Sequence, residues 1–401
     1  MSVKQVYRLA SGIWTSSNGG SYIPPFLSPT GRVSRVRALS TSAPIIPPVT
    51  YTRPTGTGYY AIEDLGVGLD LRAAFAAVGA QSGTIPGVGG KALTLPIGVF
   101  GVDGFSQSSD YLGVLTPTNV GLIGSGPNTV IQVNPNSITA HQAATWVPPP
   151  TPLGTTNQLN VILFPSATVP ITIAQFRVQG TSQRVGGTGT NYTYNGLRTN
   201  NCVGPVLTDL WVKGIPGFLN SPPGETFGIN IYRGSGAILT RVETDGRDLD
   251  GSIQGIAGAK IGAAGIGLNT TSNTSLTDCW THHTGFSHGL AIYQSPDTTT
   301  TRHRAEYCGT GNGSGATGGT VGVGLNCEQS NRSIHHSPTL GFNTLAQMRY
   351  YGTTSGSFAG DTTGHTIDGL VLSDGGSLTI RIDNAQTSHP TLTTSPTPTY
   401  L

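Results

Sequence analysis

The sequence predicts an all-β chain folded as a parallel β-helix, and three observations carry that prediction. Lys, Arg, Asp and Glu make up only 10 % of the 401 residues, against about 25 % in an ordinary domain. Gly (58) and Pro (27) are abundant, yet hydrophobic residues hold at 36 %. That leaves enough apolar material for a long core and little of the mixture helices need, so many short strands and turns are expected. The third observation is a repeat. Six segments begin with Gly: Gly196-Leu-Arg-Thr-Asn, Gly228-Ile-Asn-Ile-Tyr, Gly265-Ile-Gly-Leu-Asn, Gly289-Leu-Ala-Ile-Tyr, Gly322-Val-Gly-Leu-Asn and Gly369-Leu-Val-Leu-Ser. The residue after each Gly is aliphatic. Two positions further it is aliphatic again, with Thr199 the exception. Period two marks a strand with one buried face.

A second strand starts eleven residues after each of these glycines, at Leu207, Leu239, Leu276, Thr300, Ser333 and Ile380. Its first three copies, Leu-Thr-Asp-Leu-Trp, Leu-Thr-Arg-Val-Glu and Leu-Thr-Asp-Cys-Trp, are close, and Ile173–Gly180 aligns with Leu207–Gly214. The offset is constant while the Gly-to-Gly steps run 32, 37, 24, 33 and 47. Two strands joined by a fixed corner therefore recur, and the rest of each coil varies. No such coil buries its apolar edge alone, so coils must stack, at about 4.8 Å each. The variable connections fall on one side, where binding surfaces usually sit.

In chain order, residues 1–61 read as an extended arm. Pro24, Pro25, Pro29, Pro44, Pro47, Pro48 and Pro54 exclude long helices and central strands there, and Arg32, Arg35 and Arg37 add a basic stretch. The β-helix is expected over 62–390, and a Thr/Pro-rich tail over 391–401. One helix is predicted at its start, where Leu71, Ala74, Phe75 and Val78 recur at helical spacing. Asp70 serves as its N-cap and Gly79 as its stop. Short strands punctuated by Gly, Pro and Asn follow, within Gly89–Phe100, Leu115–Gly126 and Thr129–Val133.

A net charge of +2 gives no global field directed at nucleic acid or membrane. No apolar run is long enough to cross a bilayer, and Met1–Trp14 does not read as a secretory signal. Cys202, Cys279, Cys308 and Cys327 make no C-x-x-C pair and no disulfide framework, so buried free thiols are expected.

The helix-bearing opening Asp64–Gly79, Leu95-Pro-Ile-Gly-Val-Phe100, Val120-Gly-Leu-Ile-Gly-Ser-Gly126 and the Gly-apolar-x-apolar coils together resemble the right-handed β-helix proteins of the pectate-lyase-like superfamily. The phage tailspikes and tail fibres are the nearest in character, and the resemblance covers about 62–385. It implies that the helix caps the open N-terminal end of the solenoid, covering edge strands and core. It also implies a virion-borne homotrimer, an N-terminal arm bound to other tail proteins, and a β-helix facing host cell-surface polysaccharide. Attachment without cleavage is the favoured reading. A polysaccharide hydrolase or lyase of the same fold, or a purely structural tail component, are the alternatives.

Candidate catalytic residues follow from that resemblance, because hydrolases of this kind pair two carboxylates and lyases use a base, often beside Ca²⁺. The acidic stretch Glu243-Thr-Asp245-Gly-Arg-Asp248-Leu-Asp250 offers Asp245 and Asp248 as a catalytic cluster or cation loop, without the pattern of a Ca²⁺ hand. A second group is Asp278, His282, His283 and His288-Gly289. Asp278 repeats Asp209, which favours a structural role. His303, Glu306, Glu328, His335 and His336 belong to later coils, where imidazoles are expected at the surface. No zinc-ligand spacing is present, and no cofactor is called for apart from Ca²⁺. Trp211, Tyr232, Trp280 and Tyr293 recur at strand ends as candidate sugar-stacking rings.

Overall fold

The computed structural model describes residues 51–102, 113–133, 157–180, 192–215, 227–247, 264–284, 288–309, 322–343, 345–352, 363–373 and 379–383. It also describes the short strands Val6–Arg8, Trp14–Ser16, Ser21–Tyr22, Thr391–Leu392 and Thr399–Tyr400. The chain divides into two compact units, Met1–Thr50 and Tyr51–Leu401. In the first, the described strands form an antiparallel three-stranded sheet; Arg32, Arg35 and Arg37 lie outside the described residues.

The second unit is the predicted parallel β-helix. It begins earlier than the sequence suggested, because Tyr59–Ala61 already pairs in parallel with Lys91–Thr94. Three parallel sheets line the solenoid. Sheet 1 has ten strands, from Val114–Leu115 through Phe227–Tyr232, Ala264–Asn269 and Leu290–Tyr293 to Thr399–Tyr400. Sheets 2 and 3 share three long strands, Thr172–Gln179, Val206–Lys213 and Ile238–Asp245. Each of these bends at one left-handed residue: Gln175 (φ 62°), Asp209 (53°) and Arg241 (52°). In the following coils the bend separates the halves. Ser275–Thr277 and Thr299–Thr301 continue sheet 2, and Trp280–His282 and Arg304–Glu306 continue sheet 3. The left-handed corner persists at Asp278, Arg302 and Ser337.

One core runs the length of the unit. Leu197, Ile229, Ile266, Leu290, Leu325, Met348 and Ile380 stack in register from sheet 1. Leu122, Ile173, Leu207, Leu239 and Leu276 do so from sheet 2. All are buried in a single cluster. The helix Leu71–Ala80 takes the place a sheet 1 strand would occupy in the first coil, burying Leu71, Ala74, Phe75 and Val78. Asp70 caps it as predicted, its Oδ1 accepting from the Arg72 and Ala73 amides at 2.9 and 3.1 Å. Gly79 lies inside the last turn rather than beyond it. Lys91 closes that end, donating to the carbonyls of Val78, Gly79 and Gln81, where a cation is favoured. Among the described residues no helix is long and apolar enough to cross a membrane.

The repeat holds in register for the first four glycine segments, slips by two residues at the fifth, where Leu325 and not Val323 stands beside Leu290, and fails at the sixth. Gly369 is itself a left-handed corner (φ 58°), and Val371–Leu372 joins sheet 3 beside Thr339–Gly341. The sheet 1 strand of that region is Ala346–Tyr351, which has no glycine, and Ile380 follows it in sheet 1 rather than sheet 2. His335, not Ser333, stands beside Thr300. Glycine marks a strand in the early coils and a turn in the last, and period-two patterning alone does not separate the two.

A second correction concerns the later imidazoles. His303, His335 and His365 point into the solenoid and are buried. His335 Nδ1 lies 2.9 Å from Thr300 Oγ1, and His303 Nε2 lies 3.4 Å from Thr281 Oγ1. The stacked interior becomes polar here because Thr299-Thr-Thr and Ile334-His-His carry too few aliphatic residues to fill it. The four cysteines are free and buried. Three of them, Cys202, Cys279 and Cys308, directly follow left-handed residues, so the corner turns each thiol inward.

Two outcomes are expected. Phe75→Ala empties the cap and should cost about 3–5 kcal/mol in chemical denaturation; a loss under 1 kcal/mol would mean the helix does not seal the core. Burial lowers the folded-state values of His288, His303 and His335 to about 3 and of His365 to about 4. The unfolded chain therefore takes up these protons first. Stability should be full above the ordinary imidazole value of about 6.5 and fall as pH drops toward 3, by up to about 1.4 kcal/mol per pH unit for each imidazole. Denaturation midpoints measured from pH 7.5 to 4 check this.

Candidate functional site

Among the described residues, titratable and aromatic side chains gather on the outer face of sheet 3. Because side chains alternate, Thr244, Thr281 and Ala305 point inward and their neighbours outward. One outward column reads Arg177, Trp211, Glu243, Trp280, Arg304. The next reads Gln179, Lys213, Asp245, His282, Glu306. A third is supplied by left-handed residues at the exit of the sheet: Gly214, His283, Tyr307 and Phe342. A positive φ there turns His283 to the same side as His282, whereas consecutive strand residues would face opposite ways.

His282 is the centre of the group. Its ring stacks on Trp280 at 4.0 Å between centroids. Its Nε2 lies 3.2 Å from Glu243 Oε1, its Nδ1 2.8 Å from His283 Nδ1 and 3.7 Å from Asp245 Oδ1. Asp245 is buried and gripped by Arg247, whose Nε lies 2.9 Å from Oδ1 and 3.1 Å from Oδ2 and whose Nη2 lies 2.8 Å from Oδ2. Lys213 Nζ stands 3.6 Å from the same Oδ2. Burial pushes the Asp245 carboxyl up, but the Arg247 hydrogen bonds and charge outweigh it, and the group is held below the usual carboxylate range. Burial and the Arg247 charge push His283 down to about 4, so it is neutral at pH 7. Glu306 is buried and paired with Arg304 at 2.8 Å, and the Arg304 guanidinium lies 4.7 Å from the Trp280 ring centroid.

An aromatic stack borders this group. His283 lies on Tyr307 at 4.8 Å and 9°, and Tyr307 on Phe342 at 4.5 Å and 1°. Phe342, at the end, is 45 % exposed. The site thus combines ionised carboxylates, neutral and tethered imidazoles, guanidinium groups and flat apolar rings along successive coils.

The sequence-derived candidates are distributed as follows. Asp245 belongs to the cluster, while Asp248 lies outside the described residues. Asp278 sits at the sheet 2–sheet 3 corner and takes a two-pronged ion pair from Arg302 at 2.6 and 2.7 Å. That pairing holds its carboxyl low. Asp209 and Arg241 repeat the arrangement in earlier coils at 2.6 and 2.8 Å. His288 is buried, and its Nδ1 has no hydrogen-bond partner among the described residues. Trp211 and Trp280 share a column two coils apart, and Trp211 meets Tyr51 edge-on at 6.1 Å. Tyr232 and Tyr293 lie on sheet 1 instead, in one outward row with Asn269 between them. Tyr232 is flanked by Arg198 and Arg233 at 4.3 and 4.8 Å.

The described part of the expected cation loop does not suit Ca²⁺. The Asp245 oxygens are engaged by Arg247, and the adjoining donors are imidazole nitrogens, whereas Ca²⁺ takes a shell of oxygens.

No protein-family model matches the sequence, and no curated protein matches it either. Among solved structures, the chain is similar to the mannuronan C-5 epimerase A-module of Azotobacter vinelandii. There the identity is 16 % over 85 % of this chain and 98 % of that one, with a TM-score of 0.35. It is similar to a Geobacillus virus E2 protein (ORF18), with 11 % identity over 86 % of this chain and 60 % of that one and a TM-score of 0.36. A third is an iota-carrageenase from A. fortis, with 11 % identity, 83 % and 60 % coverage and a TM-score of 0.38. The chain thus spans 60 % of the length of the viral protein and of the carrageenase.

Gly246 holds the cluster together from behind. A Cβ there would lie 2.3 Å from the His283 carbonyl oxygen, a backbone atom that must move to admit it. Gly246→Ala should therefore cost about 1–3 kcal/mol and shift the His282 and His283 imidazole resonances. Unchanged resonances would mean the two coils are not in register at this corner.

Proposed function

We propose that this chain is a glycan-binding β-helix of the phage tailspike and tail-fibre type, which attaches a virion to a host surface polysaccharide through the outer face of sheet 3. One observation carries the reading: aromatic rings and ionised side chains alternate along that face at the spacing of the coils. Trp211, Trp280 and Phe342 offer apolar surface for sugar rings, and Glu243, Arg247 and Arg304 offer partners for hydroxyl or uronate groups. A virion-borne homotrimer anchored through the Pro-rich N-terminal segment fits the resemblance set out above.

Attachment is favoured over cleavage by the state of the carboxylates. Glycoside hydrolysis needs a carboxyl that stays protonated to serve as general acid. Asp245 is held ionised by Arg247 and Glu306 is tied to Arg304. A second reading, hydrolysis or elimination, draws on the grouping itself. Glu243 and Asp245 are two residues apart on one strand, and Asp245 and Glu306 are two coils apart. Strand geometry puts these separations at about 7 and 10 Å, near the range of about 6.5–9.5 Å for inverting glycosidases.

The test is retention of the full chain on immobilised envelope polysaccharides of candidate hosts, with reducing ends and unsaturated uronates measured in parallel. Saturable binding without product, weakened about tenfold by Trp211→Ala (about 1.4 kcal/mol), is the expected result. Product formation abolished by Asp245→Asn would replace attachment by catalysis. No binding to any glycan would overturn both readings.

A further inference from the structure

We infer that Asp245, His282 and His283 form a binding site for a divalent first-row transition ion, of which Zn²⁺ is the model. The inference rests on geometry alone and is independent of the glycan reading. One ligand atom from each of the three residues lies within 4.8 Å of the others. Two ligands about 2.1 Å from a metal, at angles of about 90–110°, stand roughly 3.0–3.4 Å apart. The observed separations of 2.8 Å between the two Nδ1 atoms and 3.7 Å between His282 Nδ1 and Asp245 Oδ1 bracket that value. The third pair, His283 and Asp245, lies within 4.8 Å, and rotation of the His283 ring and of the Asp245 carboxylate must draw it to the same separation.

A second observation points the same way. His282 Nε2 faces the Glu243 carboxylate at 3.2 Å. That contact places the ring proton on Nε2 and leaves the Nδ1 lone pair directed at His283 and Asp245. A ligating imidazole almost always donates its far N–H to such an acceptor, which fixes tautomer and orientation. Trp280, stacked on the ring at 4.0 Å, holds its plane. Without an ion, the 2.8 Å contact is a hydrogen bond from His283 Nδ1–H to His282 Nδ1; an ion takes the place of that proton, and His283 then carries its proton on Nε2.

The donor set selects the class of ion. Two imidazoles and one carboxylate suit Zn²⁺, Co²⁺, Ni²⁺ or Fe²⁺ and not Mg²⁺ or Ca²⁺. Three protein ligands leave coordination positions for water or a hydroxyl-bearing ligand, and His283 is half-buried where His282 is fully buried. Arg247 sets an upper limit on affinity because it shares Asp245. Its side chain can stay on Oδ2, while Oδ1 turns to the ion and still accepts from the Arg247 backbone N–H at 3.0 Å.

The experiment is titration of the chelator-treated, tag-free full chain with ZnCl₂ by calorimetry and with CoCl₂ by visible absorbance, at pH 7.5 and without glycan. Expected are one ion per chain at micromolar affinity or tighter, and a Co²⁺ d–d band. His283→Ala and Asp245→Asn should weaken binding at least tenfold. Glu243→Gln should weaken it about tenfold through the tethered imidazole, and His336→Ala should leave it unchanged. Absence of saturable binding, or equal affinity in His283→Ala and Asp245→Asn, overturns the inference. Should either variant fail to fold, Co²⁺ broadening of the wild-type His282 and His283 resonances decides: selective broadening supports the site, and none rejects it. Failure here leaves the glycan assay untouched, because that assay is read without added metal.

Discussion

Everything in the β-helix unit depends on one constraint: each coil pairs its backbone and buries its apolar edge only against the coils above and below. A residue is therefore chosen less for its own surroundings than for its place in a column. The stack from Leu197 to Ile380 through sheet 1 is one such column. The first coil lacks a neighbour, and the Asp70-capped helix with Phe75 beneath it substitutes for one.

The same constraint governs the polar chemistry. Left-handed residues recur at the corners because a turn that fits one coil must fit the next, and their side chains meet across coils. Asp209 with Arg241, Asp278 with Arg302, and Asp297 with Arg332 are three corner ion pairs between successive coils. They are partly solvent-exposed, so each adds little to stability; their effect is on register. Where the corner residue is aromatic or imidazole, the column becomes the His283–Tyr307–Phe342 stack. The candidate site is such a place, where a corner column and two strand columns run side by side.

The interior of the later coils departs from this economy. Thr281, His303, Thr300, His335, Ser333 and His365 replace aliphatic side chains with groups that bond one another. Buried polar groups need such partners, and the imidazoles remain neutral at a cost that appears in acid. Stability and site lie close together here, since Thr281 sits between Trp280 and His282 on the same strand.

The sequence by itself determined the solenoid, its capping helix and the four sheet 1 rungs marked by Gly196, Gly228, Gly265 and Gly289. Those rest on local periodicity and on an offset that a reader can count. It also held Glu243 and Asp245 in one acidic stretch and His282 and His283 in another group, while nothing in it marked Lys213, Arg304, Tyr307 or Phe342. It tied His282 to Asp278, its near neighbour in sequence, because chain distance was the only distance at hand. The tertiary structure decided otherwise. Parallel pairing lays Asp245 directly beside His282, and the corner at Asp278 turns that carboxylate to Arg302. It likewise sent His303, His335 and His288 inward and made Gly369 a corner. Whether a residue faces core or solvent is fixed by the register of its coil against the next, and the register past Gly322 depends on turns whose spacing is not periodic.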